Sequence, residues 1–128
     1  SKNVILIDAC IAEHLDNNYN LAIDFYNKYL ETNKQYRYSQ IDINIARCHR
    51  KMKNYRKALN TLDQLMQTGK RYKFDSNYEY ALIYKNKGDY NKALEYIDIF
   101  LDHYSGADKK YIHLIKALKL KEELLKSI

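Results

Sequence analysis

Apolar positions recur with helical spacing along this 128-residue chain, and the pattern around them repeats. In the clearest copy a turn precedes Tyr90, and a small residue, Ala93, follows three positions later. The same order of turn, tyrosine and alanine occurs at Tyr55 and Tyr19, at intervals of 35 and 36 residues. A period of this length predicts an array of helical repeats.

Each repeat is predicted to contain two helices joined by a tight turn. Glycine or asparagine at the end of the first helix adopts, at little cost, the left-handed conformation that terminates a helix. The residues at this place are Asn17, Lys53 and Gly88. The next side chain can cap the second helix by accepting from its free amide groups. The expected caps are Asn18, Asn54 and Asp89.

Small residues are expected where the two helices of a pair approach closely. They are Ala22, Ala58 and Ala93 on the second helices, and Cys10, Ala46 and Ala81 on the first helices. This constellation resembles the tetratricopeptide repeat, a family of paired antiparallel helices. The resemblance covers three repeats, at about 3–33, 39–68 and 74–105, and a helix at about 108–127 that is similar to the family's C-terminal cap.

The resemblance implies an all-α fold in which about seven helices form a right-handed superhelix, an α-solenoid. One domain is expected to span residues 1–128, and the start at Ser1 rather than Met indicates a fragment of a longer protein. The third repeat is expected to use most of its tyrosines for packing. These are Tyr80, Tyr84, Tyr90 and Tyr96, with Tyr78 on the groove side. The residues of the cap expected to face the stack are Tyr111, Leu114, Ile115, Leu118 and Leu125.

The chain is basic, with a net charge of +6 and a pI near 9.1, which favours an acidic partner, nucleic acid or an anionic surface. The basic residues concentrate from Lys34 to Lys57, where Asp42 is the only acidic residue. The two cysteines are expected on apolar helix faces and form no disulfide framework, which favours a cytoplasmic location. No apolar run approaches the roughly 18 residues of a membrane span.

Candidate catalytic chemistry is sparse. Cys10 and His14 share a helix face at a spacing that suits a metal ion, but no second pair completes the site. None of the three glycines belongs to a phosphate-binding loop. Carboxylates such as Glu13 and Asp16 lack the apolar surroundings that raise a pKa for acid–base catalysis. The sequence therefore predicts a protein that is not an enzyme and uses no metal or cofactor.

The leading hypothesis is a scaffold or adaptor that binds an extended or helical peptide of a partner protein in the concave groove implied by the resemblance. The expected apolar contacts are Ile7, Ile11, Ile43, Tyr78 and Leu82. The expected polar contacts are Asn44, Arg47, Arg50 and Lys85. One alternative is a regulatory or assembly domain of a larger enzyme or transcription regulator. Another is nucleic-acid or anionic-surface binding through the basic segment. Self-association through the first or the C-terminal helix is also open.

Overall fold

The computed structural model describes residues 2–68, 76–103 and 112–128. Over these ranges the chain forms seven α-helices and no β-strand, so the predicted all-α class is confirmed. The helices are α1 (Lys2–Cys10), α2 (Tyr19–Thr32), α3 (Gln40–Lys51), α4 (Tyr55–Gln67), α5 (Ser76–Asn86), α6 (Tyr90–His103) and α7 (Ile112–Ser127). A π-helical turn, Ile11–Leu15, continues α1, and a 3₁₀ turn, Lys34–Tyr36, follows α2.

The chain divides into two compact units, Ser1–Lys70 and Arg71–Ile128. In the first unit α1 packs against α2, α3 packs against α4, and α2 and α3 also contact each other. In the second unit α5 packs against α6, and α6 packs against α7. All three predicted helix pairs are therefore present. The predicted superhelix and the single domain remain predictions, and Tyr111 of the predicted cap lies outside the described residues.

Left-handed residues end the first helix of every pair, as the sequence predicts. The φ angles are 51° at Asn17, 64° at Lys53 and 84° at Gly88. Each of these residues is the middle of a three-residue turn, which reverses the chain so that the second helix packs on the first. The lysine is the least suited of the three, because a side chain with a Cβ atom is strained in this conformation.

Two of the three expected N-caps are confirmed. The side-chain oxygen of Asn18 accepts from the backbone N–H of Leu21, and that of Asp89 accepts from the N–H of Lys92, both at 3.2 Å. Asn54 makes no side-chain capping bond, although its backbone lies at the same place before α4. The start of α4 is therefore less well satisfied than the starts of α2 and α6.

The backbone hydrogen bond that closes the first turn spans one residue more than the equivalent bonds of the other two turns. The N–H of Asn18 donates to the carbonyl oxygen of Ala12, six residues back, at 2.7 Å. The N–H of Asn54 donates to His49 and that of Asp89 to Tyr84, each five residues back, at 2.8 and 2.9 Å. A π-helical turn is wider than an α-helical one and so absorbs an extra residue. The turn at Ile11–Leu15 is where this happens.

This extra residue makes the predicted packing role of Cys10 wrong. Ala9 is fully buried, as are Ala46 and Ala81, whereas Cys10 is exposed. The distance in sequence from Cys10 to the following tyrosine, nine residues, is the same as from the two alanines, so the spacing gives no sign of the shift. The π-helical turn moves the buried position back by one residue.

A capping box begins α3. The hydroxyl of Ser39 accepts from the N–H of Ile41 at 3.3 Å, and the carboxylate of Asp42 accepts from the N–H groups of Tyr38 and Ser39 at 2.5 and 3.1 Å. Arg37 lies 3.5 Å from the same carboxylate. Asp42 is 5% exposed, so the only acidic residue of the basic segment is buried and used to start a helix.

Tyrosines and small residues fill the second unit. The rings of Tyr80 and Tyr84 both stack on Tyr96, with centroids 4.6 and 5.6 Å apart. The predicted packing role of these three is confirmed, whereas Tyr90 is 36% exposed. The buried residues of the unit's main cluster are Ala81, Ala93, Ile97, Phe100, Ala117, Leu120 and Leu124.

The predicted inner face of α7 is wrong. Ile115, Leu118 and Leu125 were expected to face the helix stack, but they are 44, 52 and 51% exposed. Leu120 and Leu124 are buried in their place, beside a small residue that allows close approach to α6. Because α7 has apolar residues on several sides, the face that packs is decided by the neighbouring helix and not by the pattern along α7.

Candidate partner-binding surface

Exposed apolar side chains form a row on α1 and its π-helical extension. Ala9 and Ala12 are 0 and 2% exposed and form the packing face of this segment. The opposite side carries Val4, Ile7, Ile11 and Leu15, which are 52, 57, 39 and 74% exposed. We call these four residues the outer row. Spacings of three and four residues bring them to one side of the helix, and exposed contiguous apolar surface is typical of a contact site.

The predicted contacts Ile7 and Ile11 thus lie on an accessible surface, whereas Ile43 does not. Ile43 is 3% exposed, and Ile45 on the same helix is 5% exposed. The expectation that Ile43 contacts a partner is therefore corrected. Because α3 packs against both α2 and α4, its isoleucines Ile43 and Ile45 belong to the core.

A buried ion pair connects the π-helical turn to α3. The carboxylate of Glu13 is fully buried and accepts two bonds from the guanidinium of Arg47, from Nε to Oε2 at 2.5 Å and from Nη2 to Oε1 at 3.0 Å. The hydroxyl of Tyr26 on α2 donates to Oε1 at 2.8 Å. This bidentate geometry joins three consecutive elements of the first unit through one carboxylate.

The charges in this network shift the acidity of its members. Burial alone would raise the pKa of Glu13, but the hydrogen bonds and positive charge of Arg47 outweigh it and hold that pKa below its ordinary value. Burial and the Glu13 carboxylate raise the pKa of Tyr26 and raise that of the Cys48 thiol to about 12. The network is therefore built around an ionised Glu13 with a neutral tyrosine and a neutral thiol beside it.

Arg47, one of the predicted polar contacts, is thus held by bonds within the protein. Besides its two bonds to Glu13, its Nη2 donates to the side-chain oxygen of Asn44 at 3.0 Å. The same oxygen accepts from Gln40 at 3.1 Å, so the predicted contact Asn44 also belongs to a local network. Arg50, another predicted contact, is half-buried one turn farther along α3. The fixed orientation of Arg47 and Asn44 leaves little freedom for either to adapt to a ligand.

In the second unit, the residues predicted to contact a partner mainly make contacts with other helices of the same unit. Tyr78 is half-buried with its ring 5.6 Å from that of Phe100 on α6, and Leu82 packs against the same cluster. The ammonium of Lys85 lies 2.7 Å from a carboxylate oxygen of Glu123 on α7. These residues lie together on α5 but make internal contacts, so the second unit offers fewer accessible apolar side chains from its first helix than the first unit does.

Within the described ranges there is no group of three or more His, Cys, Asp and Glu side chains that could hold a metal ion. Both cysteines are free thiols, with Cys10 exposed and Cys48 buried. The described helices also include none that is long and apolar enough to cross a membrane.

Comparison with protein families decides the nature of the repeats. Residues 43–68 and residues 74–98 each match a family model described as tetratricopeptide repeat. The chain is a tetratricopeptide repeat protein. Comparison with curated proteins gave no match. Tetratricopeptide repeats are generally protein–protein interaction modules, and the two matched segments cover most of the α3–α4 and α5–α6 pairs. The first pair, α1–α2, lies outside both matches, so the count of three repeats remains a prediction.

Sequence reasoning missed the role of Glu13 in this tetratricopeptide repeat protein. The sequence offered Glu13 only as a candidate catalytic acid without apolar surroundings. In the structure its side chain is fully buried, and its pKa is lowered. The pairing itself joins residues 34 positions apart, and no local pattern reports it.

Proposed function

We propose that this chain is a non-catalytic interaction module that binds an apolar segment of a partner protein through the outer row of α1. The observation that carries the proposal is the exposure of Ile7 and Ile11, at 57 and 39%, on the side of the helix opposite to fully packed alanines. The general role of tetratricopeptide repeats supports a protein as the ligand. The same surface would serve a scaffold, an adaptor or an assembly domain of a larger enzyme.

The dimensions of the outer row favour a short amphipathic segment. From Val4 to Leu15 a helix advances by about 16 Å, at roughly 1.5 Å per residue. Three turns of a partner helix with apolar residues at every third or fourth position would match this length and spacing. Full burial of an isoleucine is worth about 1.5–3 kcal/mol, so covering the exposed part of Ile7 is worth about 1 kcal/mol or more.

The ion pair between Glu13 and Arg47 restricts the motion of this surface. Glu13 lies within the π-helical turn that carries Ile11 and Leu15, and its bonds to Tyr26 and Arg47 connect that turn to α2 and α3. A surface that is already ordered loses less conformational entropy when it binds. We therefore expect Arg47 to act mainly by holding the outer row in place and not by contacting the partner.

Site-specific photo-crosslinking in cells tests this function. A photoreactive amino acid at position 7 or 11 is expected to crosslink one discrete partner protein, and the same residue at position 99 is not. Ile99 is a matched control because it is also a helical isoleucine with 46% exposure. Equal crosslinking from positions 7 and 99 would contradict the proposal, as would a photoreactive group at 7 and 11 that captures nothing.

The purified partner then allows an affinity measurement. An Ile7→Asp substitution is expected to weaken binding by about tenfold or more, since it removes apolar contact and buries a carboxylate against the partner. Ile99→Asp is expected to leave the affinity unchanged. Circular dichroism of both variants checks that each remains folded. If Ile7→Asp binds as tightly as the wild type, the outer row does not form the contact.

A further inference from the structure

Exposed cations gather at one corner of the first unit, where α3 turns into α4. The members of this basic corner are Lys51, Lys53, Arg56 and Lys57, all of them exposed. Lys51 lies over the ring of Tyr19, with its Nζ 5.5 Å from the ring centroid. Lys57 and Arg56 lie in the first turn of α4, three residues or fewer from the turn that ends α3. The four cations thus lie within seven residues of one another across the turn that joins α3 to α4.

The other cations of the basic segment differ from these four. Arg47 is bound to the buried Glu13, and Arg37 lies 3.5 Å from Asp42. From residue 43 to residue 62 the sequence contains no Asp or Glu, so no carboxylate of that stretch compensates the corner. The turn between α3 and α4 therefore carries four exposed cations, Lys51, Lys53, Arg56 and Lys57, with no carboxylate in the same stretch of sequence.

Three features of this corner cost stability locally. Lys53 has a φ angle of 64° where the equivalent turns use asparagine or glycine. Arg56 and Lys57 lie in the first turn of α4, at the positive end of the helix dipole. The side chain of Asn54 makes no capping bond there. Departures from local preference without a structural gain are typical of functional sites.

The chemistry of the corner points to a phosphate backbone and not to a protein or a membrane. Between residues 37 and 68 no large apolar side chain is exposed, so this stretch offers none of the apolar contacts that protein interfaces and lipid insertion require. Contacts to phosphate need only positive charge and are independent of sequence. We propose that the basic corner binds the phosphate backbone of a nucleic acid. None of the four corner residues belongs to the outer row, and the inference does not depend on that row.

Fluorescence anisotropy with a labelled 20-nucleotide oligouridine, titrated with the full 128-residue chain, tests the proposal. Four phosphate contacts predict that log K falls with log salt concentration with a slope of about −3 for a single strand. Substituting all four corner cations by glutamine is expected to weaken binding by about 30-fold or more at about 50 mM salt. The charge-matched control substitutes Lys28, Lys87, Lys116 and Lys119, which are also exposed, and is expected to retain most of the affinity.

Two substitutions at Lys53 distinguish an effect on RNA binding from an effect on stability. Lys53→Gly removes both the charge and the backbone strain, so it is expected to raise Tm by about 4 °C while weakening RNA binding by about threefold. Lys53→Gln removes the charge but keeps the strained side chain. It is expected to weaken binding equally without raising Tm. A lysine with a purely structural role would give the opposite result, a loss of stability in Lys53→Gly with unchanged affinity.

Several outcomes would overturn the proposal. They are no binding at about 50 mM salt, an equal loss of affinity in the corner and control variants, and an unchanged affinity in both Lys53 variants. Displacement of the RNA by a polyglutamate peptide at equal charge concentration would also overturn it, because the corner would then recognise acidic protein segments. A duplex DNA of 20 base pairs, measured in parallel, is expected to bind through the same four residues with a steeper salt slope.

Discussion

Replacing Arg47 by methionine removes the positive charge that compensates Glu13 while keeping most of the aliphatic stem. The carboxylate of Glu13 is 0% exposed and loses two bonds, at 2.5 and 3.0 Å, retaining its bond from Tyr26. Breaking a buried ion pair on one side costs about 3–5 kcal/mol, because the buried carboxylate loses the guanidinium charge that compensates it. We expect Arg47→Met to lower the free energy of unfolding by about 3 kcal/mol at pH 7.

The pH dependence of this loss identifies its cause. In the wild type the pKa of Glu13 is lowered by folding, so its stabilising contribution is present above the unfolded value near 4.5 and is lost as the pH falls below it. Without Arg47, burial instead raises the pKa of Glu13, and protonation at low pH relieves the destabilisation. The difference between the two proteins should therefore shrink from pH 7 to pH 4.

Urea denaturation followed by circular dichroism measures these free energies. A double-mutant cycle with Glu13→Gln is expected to give a coupling energy of about 2 kcal/mol, and the double variant should be more stable than Arg47→Met alone. A loss below about 1 kcal/mol in Arg47→Met, typical of an exposed ion pair, would refute the burial of this carboxylate. A loss that does not vary between pH 7 and pH 4 would refute the assigned cause.

The other predictions concern caps, a turn and the thiols. Asn18→Ala should cost about 1 kcal/mol in urea denaturation, and Asn54→Ala a few tenths, because only the first side chain caps its helix; equal losses would contradict this. Gly88→Ala should cost about 1 kcal/mol, because alanine is strained at a φ of 84°; an added Cβ meets no atom within 4 Å, so no steric clash adds to this cost. A neutral result would contradict the prediction. Ellman's reagent should label Cys10 rapidly and Cys48 only on unfolding; labelling of both in the native protein would contradict the burial of Cys48.

The repeat period predicted the helix pairs and their turns because those features are local. A residue such as Gly88 ends a helix by its own conformational preference, and Asp89 caps the next helix with its own side chain. The helix end and the cap can therefore both be predicted from a few neighbouring residues. The same reasoning predicted a left-handed Lys53, which is the costliest of the three. The recurrence of the pattern supplied the evidence that no single copy provides.

The errors arose where the structure departs from equal spacing or depends on distant contacts. The π-helical turn shifts the packing face of α1 from Cys10 to Ala9 without changing the sequence interval. For α7, whose apolar residues surround the helix, the face that packs depends on α6.

The candidate surface was only partly predictable for the same reason. Ile7 and Ile11 lie on the exposed side of the first helix, where few neighbours compete for them. Ile43 lies three residues before the buried Ala46, as the half-buried Leu6 lies three before the buried Ala9, so it belongs to the packing face. Arg47 looked like one cation among many, because its partner lies 34 residues away on another helix. Burial and pairing of this kind are set by tertiary contacts, which a single sequence does not report.

Methyl NMR of isoleucine-labelled protein, titrated with the crosslinked partner, tests the central claim most directly. Binding through the outer row predicts that the methyl signals of Ile7 and Ile11 shift or broaden first, in proportion to the bound fraction. The signals of the buried Ile83 and Ile97 and of the exposed Ile99 should remain in place. Changes confined to Ile99, or to Ile115 on α7, with Ile7 and Ile11 unaffected, would contradict the proposal that α1 carries the partner-binding surface.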